Sequence, residues 1–297
     1  MTELGAFENS PIRYPGSKNQ RALRLLRLVD RTRKHYVESY AGGLSILYRA
    51  RRERLFKTYR ANDLDADLIG FYTVLRDYPD ELIENLWTCY RRHGAGDDEL
   101  FNQSRENLLS SNEIERAVAY FVVNRWSVKG DLVGGMRRST KRKNGISPMI
   151  LDRLPLFSEL LNGVTLTNLD YREVQIEKDT FAYLDPPYEN VGATLYKHRV
   201  NLDEFADWAK HLNCSWMITL NNSPFVHERF SGFPRVVEPV RYSGTINPKL
   251  PTFESRNTTE LLIMNYSQST RDAFIRQFGW SVIPAKAHAT RCSKRAS

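Results

Sequence analysis

The stretch FAYLDPPYEN at residues 181–190 brings an apolar run to an abrupt, chemically loaded end. Phe181, Ala182, Tyr183 and Leu184 read as a buried strand, and Asp185, Pro186, Pro187 and Tyr188 follow without a break. Proline has no N–H for a ladder, so the diproline takes the chain out of the sheet at its carboxyl edge, where α/β proteins bind ligands. There Asp185 and the carbonyl of Pro186 stand as two rigid acceptors, matched to a planar NH₂ group with its two donors. Tyr188 adds a face on which an aromatic ring can stack. A helix cap and turn would need neither the second proline nor the tyrosine.

A second constellation comes earlier, in YAGGLS (40–45). Gly42 and Gly43 let a ligand approach the backbone, and a helix opening at Ser45 offers free N–H groups. Asp63 follows about twenty residues on, at the end of the next strand, where an acid accepts hydrogen bonds from ribose hydroxyls. The plainer role for Asp63 or Asp65 is to cap the following helix. Together these features point to a nucleoside-containing cofactor. The GxGxxG of dinucleotide sites and a phosphate loop ending in GK[ST] are both absent.

The elements that must position these residues alternate. HYVES (35–39) and TYRAND (58–63) read as strands followed by helices, a succession that builds a parallel α/β sheet. An amphipathic helix is expected over 19–34. From 78 to 160 the periodicity is helical, and the glycine-bearing loop 129–147 follows. Strand patterns resume at 164–171, 180–188, 215–223, 235–243 and 259–266, with a helix at 201–212. The expected fold is α/β, mostly parallel with a late antiparallel strand and a mainly helical insertion. Residues 1–72 and 163–267 form the discontinuous catalytic domain, 73–162 the insertion, and 268–297 a basic, loose extension.

Composition bounds the partners. With 41% hydrophobic and 26% charged residues the chain is an ordinary globular one. No apolar run approaches the roughly 20 residues that span a bilayer, and the N-terminus lacks a secretory pattern. The three cysteines, Cys89, Cys214 and Cys292, fit neither a disulfide framework nor a zinc site, so no metal is expected. The net charge of +8 favours an anionic partner. RRSTKRK (137–143), beside Gly134, Gly135 and Gly145, reads as either a solvated surface loop or a phosphate-contacting arm.

In the family's order, RYPGSK (13–18), VESYAGGLS (37–45), ANDLDADLIGFY (61–72), NRWSVKG (124–130), LDYREV (169–174) and YLDPPY (183–188) resemble the Dam-like, D12-class DNA adenine N6-methyltransferases. VRYSG (240–244) and TELLIMNY (259–266) extend the likeness to about residue 267. The resemblance implies a Rossmann-like class I methyltransferase sheet, S-adenosyl-L-methionine as methyl donor and adenine in double-stranded DNA as acceptor. It implies that Tyr14 and Lys18 belong to the cofactor motif, that Glu38, Tyr40, Ala41, Gly42 and Gly43 surround the methionine portion, and that Asp63 holds the ribose. Asp170 and Tyr171 would flank the cofactor adenine. Asp185, which also borders the cofactor, would grip the target adenine with Pro186, Pro187 and Tyr188. One departure is visible: the family's turn usually carries a further glycine where this chain has Leu44.

A neutral exocyclic amine is a poor nucleophile because its lone pair is delocalised into the ring. Accepting both N–H bonds favours a pyramidal nitrogen, so catalysis is mainly positioning and charge stabilisation. The base must leave the duplex, with Tyr188 stacking on it. The insertion is the expected target-recognition region. Asn124, Arg125, Trp126 and Lys129 resemble a DNA-inserting loop, Arg137, Arg138, Lys141, Arg142 and Lys143 would contact phosphates or base edges, and the arm from Arg241 to Arg256 is either a second DNA-contacting loop or a surface connection. Positions aligned with the family's GATC-reading residues carry Lys129, Asp131 and Val133, so GATC specificity is not carried over. Other readings are methylation of an RNA base or a protein glutamine, whose enzymes usually have asparagine in place of Asp185, and a catalytically silent DNA-binding relative. A monomer or weak dimer is expected in a bacterial or phage-infected cytoplasm, associated with the nucleoid, with or without a restriction partner.

Overall fold

The computed structural model describes residues 10–127, 145–188, 200–241, 257–266, 275 and 277–285, with the side chains of Arg241 and Asn257 outside that description. The first half runs α1 (Ala22–Leu26), β1 (His35–Glu38), α2 (Ser45–Arg52), β2 (Thr58–Asn62) and α3 (Ala66–Asp77). Three helices follow, α4 (Pro79–His93), α5 (Asp98–Asn107) and α6 (Glu113–Trp126). Beyond the basic loop, α7 (Pro148–Leu151) and α8 (Leu154–Leu161) lead into β3 (Val164–Thr167) and β4 (Thr180–Leu184). The chain closes with α9 (Leu202–His211), β5 (Ser215–Asn221), α10 (Pro224–Arg229), β6 (Arg235–Arg241), β7 (Asn257–Met264) and β8 (Ser281–Ile283).

The strands form one sheet in the order β3-β2-β1-β4-β5-β7-β6-β8. The first five are parallel, and β7 is antiparallel to both β5 and β6. This is the mostly parallel arrangement with late antiparallel pairing that the resemblance implies. β4 lies at the centre, buried along its whole length, as a strand covered on both faces must be. Its alternate residues feed two cores. Phe181 and Tyr183 join α1, α2 and α3, whereas Ala182 and Leu184 join Phe205 and Ala209 of α9. Complete burial of a side chain such as Phe181 contributes about 2 kcal/mol. Pro239 interrupts β6 without harm, because β8 pairs only with Arg235, Val236 and Val237 and leaves that side of the proline unpaired.

Three expectations are corrected. The helix expected over 19–34 is α-helical only at Ala22–Leu26. Asp30 takes the N–H and hydroxyl of Thr32 and bends the chain toward β1. Next, α3 runs unbroken through residue 72, so the helical region departs at Tyr78. Its Leu82, Leu86, Phe121, Leu154 and Phe157 share one apolar core with Tyr36 and Phe181 of the sheet. Finally, the C-terminal stretch supplies β8, with Ile275 and Trp280 buried beside it, so the segment after residue 267 is not all loose extension.

Candidate active site

Asp185 stands one residue past β4, and the chain surrounds its carboxylate with donors. Lys18 places Nζ 2.6 Å from Oδ2 and also donates to the carbonyl of Gly16 at 3.0 Å. Thr219 of β5 donates to Oδ1 at 2.5 Å, and Tyr188 donates to the same oxygen at 3.3 Å. Tyr188 is itself buried, with the Lys18 ammonium 5.4 Å from its ring centre. The resemblance implies a cofactor role for Lys18; the structure sets it on the carboxylate of the DPPY segment. Glu38, at the end of the neighbouring β1, takes the Tyr36 hydroxyl at 2.6 Å and the N–H of Leu47. Burial holds the Glu38 acid up at about 8 despite those donors, with the charge of Asp185 adding to the rise.

The glycine turn is built against the N-terminal segment. Gly42 has φ +45°, and a Cβ there would lie 2.8 Å from the Tyr14 ring. Asp63 accepts the N–H of Gly42 at 2.9 Å and that of Asp65 at 3.0 Å, tying the turn to the end of β2. Asp65, not Asp63, caps α3 through the N–H of Asp67. Leu44, where the family usually has glycine, adopts φ +53°. The left-handed conformation costs about 1 kcal/mol, and burial of the leucine to 1% exposure returns roughly 2.

Beyond the turn lies an aromatic wall. Tyr40 stacks on Tyr171 with centroids 5.6 Å apart, and Tyr171 meets Phe205 and Trp208 edge-on. Arg172 grips Asp170 at 2.8 and 3.0 Å, and these bonds lower the Asp170 pKa. Burial pushes the Tyr40 phenol far up, with Tyr171, Asp170 and Asp63 contributing. Among the described residues the Tyr40 and Ser39 hydroxyls are buried without hydrogen-bond partners, and a polar ligand or water would satisfy them.

The end of α6 differs from the expectation for it. Asn124 is 1% exposed, and its amide takes the Arg13 N–H and donates to the Arg13 carbonyl, both at 2.8 Å. It fastens RYPGSK to α6. Trp126 is likewise turned inward, donating to the Ala95 carbonyl at 2.6 Å. Its ring fills the space above Gly96 and Gly145, where a Cβ would come within 2.3 and 2.2 Å. Arg125 has its Nε buried without a partner among the described residues. Burial and the neighbouring Arg13 cation lower its pKa to about 10. Lys129, Asp131, Val133, Arg137, Arg138, Lys141, Arg142 and Lys143 lie outside the described residues, and of Arg241 only the backbone, at the end of β6, is described.

Sequence reasoning missed Thr219, Tyr183 and Asn221. Tyr183 bonds Thr219 at 3.1 Å. Asn221 follows Thr219 on the same face of β5, and its amide oxygen is buried without a partner. The only signal was TLNN itself, polar side chains at the carboxyl end of a central strand.

The family model for D12 class N6 adenine-specific DNA methyltransferases matches residues 14–233. The Type II methyltransferase M1.LlaDCHI of Lactococcus lactis subsp. cremoris is 23% identical over 281 residues, which cover 86% of this chain and 94% of that protein. The Type II methyltransferase M.MjaIII of Methanocaldococcus jannaschii is 25% identical over 183 residues, covering 54% and 61% respectively.

Proposed function

The chain belongs to the D12 class N6 adenine-specific DNA methyltransferases, and from that premise we propose how its residues divide the work. Asp185 and the Pro186 carbonyl receive the N6 amine of a target adenine flipped out of double-stranded DNA. The observation that carries this is the Lys18 ammonium, a nitrogen donor 2.6 Å from Asp185 Oδ2. It occupies the seat an amine would take, so it stands in for the substrate until DNA binds. Pro187 holds the segment rigid. For Tyr188 to stack on the base, its ring must come out from under Lys18.

S-adenosyl-L-methionine fits the wall beside the glycine turn, because its amino, carboxylate and ribose hydroxyl groups would satisfy Ser39 and Tyr40. It supplies the methyl group when bound. Gly42, Gly43, Ala41 and Tyr14 shape that wall, Asp63 and Asp170 present acceptors to it, and Tyr171 offers an aromatic face. Glu38 supports the turn from within. As the target nitrogen gains carbon and positive charge, the Asp185 carboxylate stabilises it. Arg125, with Arg13 beside it, receives a DNA phosphate. The helical region and the basic loop read the site, and Asn221, whose amide oxygen is unpartnered among the described residues, faces the edge of the flipped base.

Tritiated S-adenosyl-L-methionine offered with DNA, RNA and protein tests this reading. Label in DNA recovered as N6-methyladenine is expected; label only in RNA or protein would sink it. No helix among the described residues is long and apolar enough to cross a membrane.

A further inference from the structure

The donors around Asp185 are arranged asymmetrically. Oδ1 receives Thr219 at 2.5 Å and Tyr188 at 3.3 Å, whereas Oδ2 receives Lys18 at 2.6 Å. A carboxylate paired with an ammonium only accepts, and a hydroxyl has one proton to give. The Thr219 proton therefore goes to Asp185, and Tyr183, 3.1 Å from Thr219 Oγ1, must be the donor in that contact. The chain runs one way, from Tyr183 to Thr219 to Asp185. Strand register enforces it. Tyr183 is level with Met217 and Leu184 with Ile218, so Asp185 is level with Thr219, and residues 183, 185 and 219 share a sheet face. Thr219 and Tyr183 are 0% and 3% exposed, so water does not compete for these bonds.

We propose that Thr219, oriented by Tyr183, is a positioning residue for methyl transfer: it fills Oδ1 of Asp185 and leaves Oδ2 as the oxygen that takes the target amine. This rests on Asp185 as the amine acceptor and adds which oxygen acts and what fixes it. Without the Thr219 hydroxyl the carboxylate turns about its own axis, and the amine loses the single orientation from which transfer proceeds. Both hydroxyls are spent within the chain, on each other and on Asp185, so their removal is expected to act on rate and leave binding alone.

Thr219→Val keeps the shape and removes the hydroxyl. The assay is single-turnover methylation of a duplex carrying the enzyme's own site, identified beforehand by long-read sequencing of DNA from expressing cells. The rate is expected to fall roughly a hundredfold. Kd for the duplex and for S-adenosyl-L-methionine should stay within about twofold. Thr219→Ser should recover the wild-type rate to within a few fold. Tyr183→Phe should give a smaller loss, not additive with Thr219→Val. A Thr219→Val enzyme with the wild-type rate overturns the proposal, and so does a loss that Thr219→Ser fails to restore or that resides in Kd. Asp185→Asn is measured alongside: wild-type methylation by that variant would remove the assignment of Asp185 itself, a different failure from a silent Thr219.

Discussion

At the carboxyl edge of the sheet Lys18 is bonded to Asp185, Gly16 and Tyr188, whereas at the end of α6 Arg125 has Arg13 for a neighbour and no partner at Nε. Both cations are largely removed from water. The first is neutralised inside the chain, and among the described residues no carboxylate pairs with the second. A desolvated cation left that way is a standing demand for an anion from outside. Under the proposed reading the edge of the sheet does chemistry on a group that arrives neutral, and the end of α6 holds a charged backbone. Asn124 and Trp126 serve the second region indirectly, by fastening α6 to the N-terminal segment and to the base of the basic loop at Ala95 and Gly145.

The largest effect that tests this division is at Asp185. Asp185→Ala should lower single-turnover methylation by roughly a thousandfold or more while DNA affinity, read by anisotropy, changes little. Equal loss of affinity would mean that the two regions are one.

Replacing Arg137, Arg138, Lys141, Arg142 and Lys143 together by alanine should do the reverse. Affinity drops and the dependence of log K on log salt flattens by about 0.9 for each DNA phosphate that these side chains neutralise in the wild type, with the rate at saturating DNA preserved. Arg125→Ala should reduce that slope by the equivalent of about one phosphate. An unchanged slope for either variant would break the comparison.

Two smaller effects probe the sheet edge through stability. Glu38 binds its proton more tightly folded than unfolded, so wild-type stability falls as pH climbs from 4.5 to about 8 and levels off above. Glu38→Gln lacks this pH dependence. Whatever the fixed cost of the substitution, unfolding free energies from urea titrations should shift in its favour across that window, by on the order of a few kcal/mol. A difference independent of pH would show that Glu38 stays ionised throughout. Leu44→Gly relieves a left-handed φ yet should still destabilise by about 1–2 kcal/mol, because the burial of the leucine outweighs the relief. A more stable glycine variant would mean that the turn carries real strain.

Parts of this were legible in the chain. The central strand ending in DPPY, the glycine turn and the position of Asp63 are local patterns, and periodicity reports local patterns well. The ion pair of Lys18 with Asp185 joins residues 167 apart, and the Asn124–Arg13 pair residues 111 apart. Neither leaves a trace in spacing. The resemblance of NRWSVKG to a DNA-inserting loop implies DNA contacts for Asn124 and Trp126, and their bonds to Arg13 and to the Ala95 carbonyl appear only in the folded chain. β8 escaped notice because three residues give too short an alternation to stand out.

The sequence by itself determined the strand–helix alternation, the exit of β4 at the carboxyl edge and the residue types gathered there, since these follow from side-chain periodicity and from proline's missing N–H. Only the tertiary structure decided which oxygen of Asp185 is filled by Thr219, and that Lys18 is paired with that carboxylate while Arg125 has Arg13 for a neighbour. Those outcomes depend on distances of a few ångströms between segments far apart in the chain, and such distances are set when the sheet assembles, with no imprint on any single stretch of sequence.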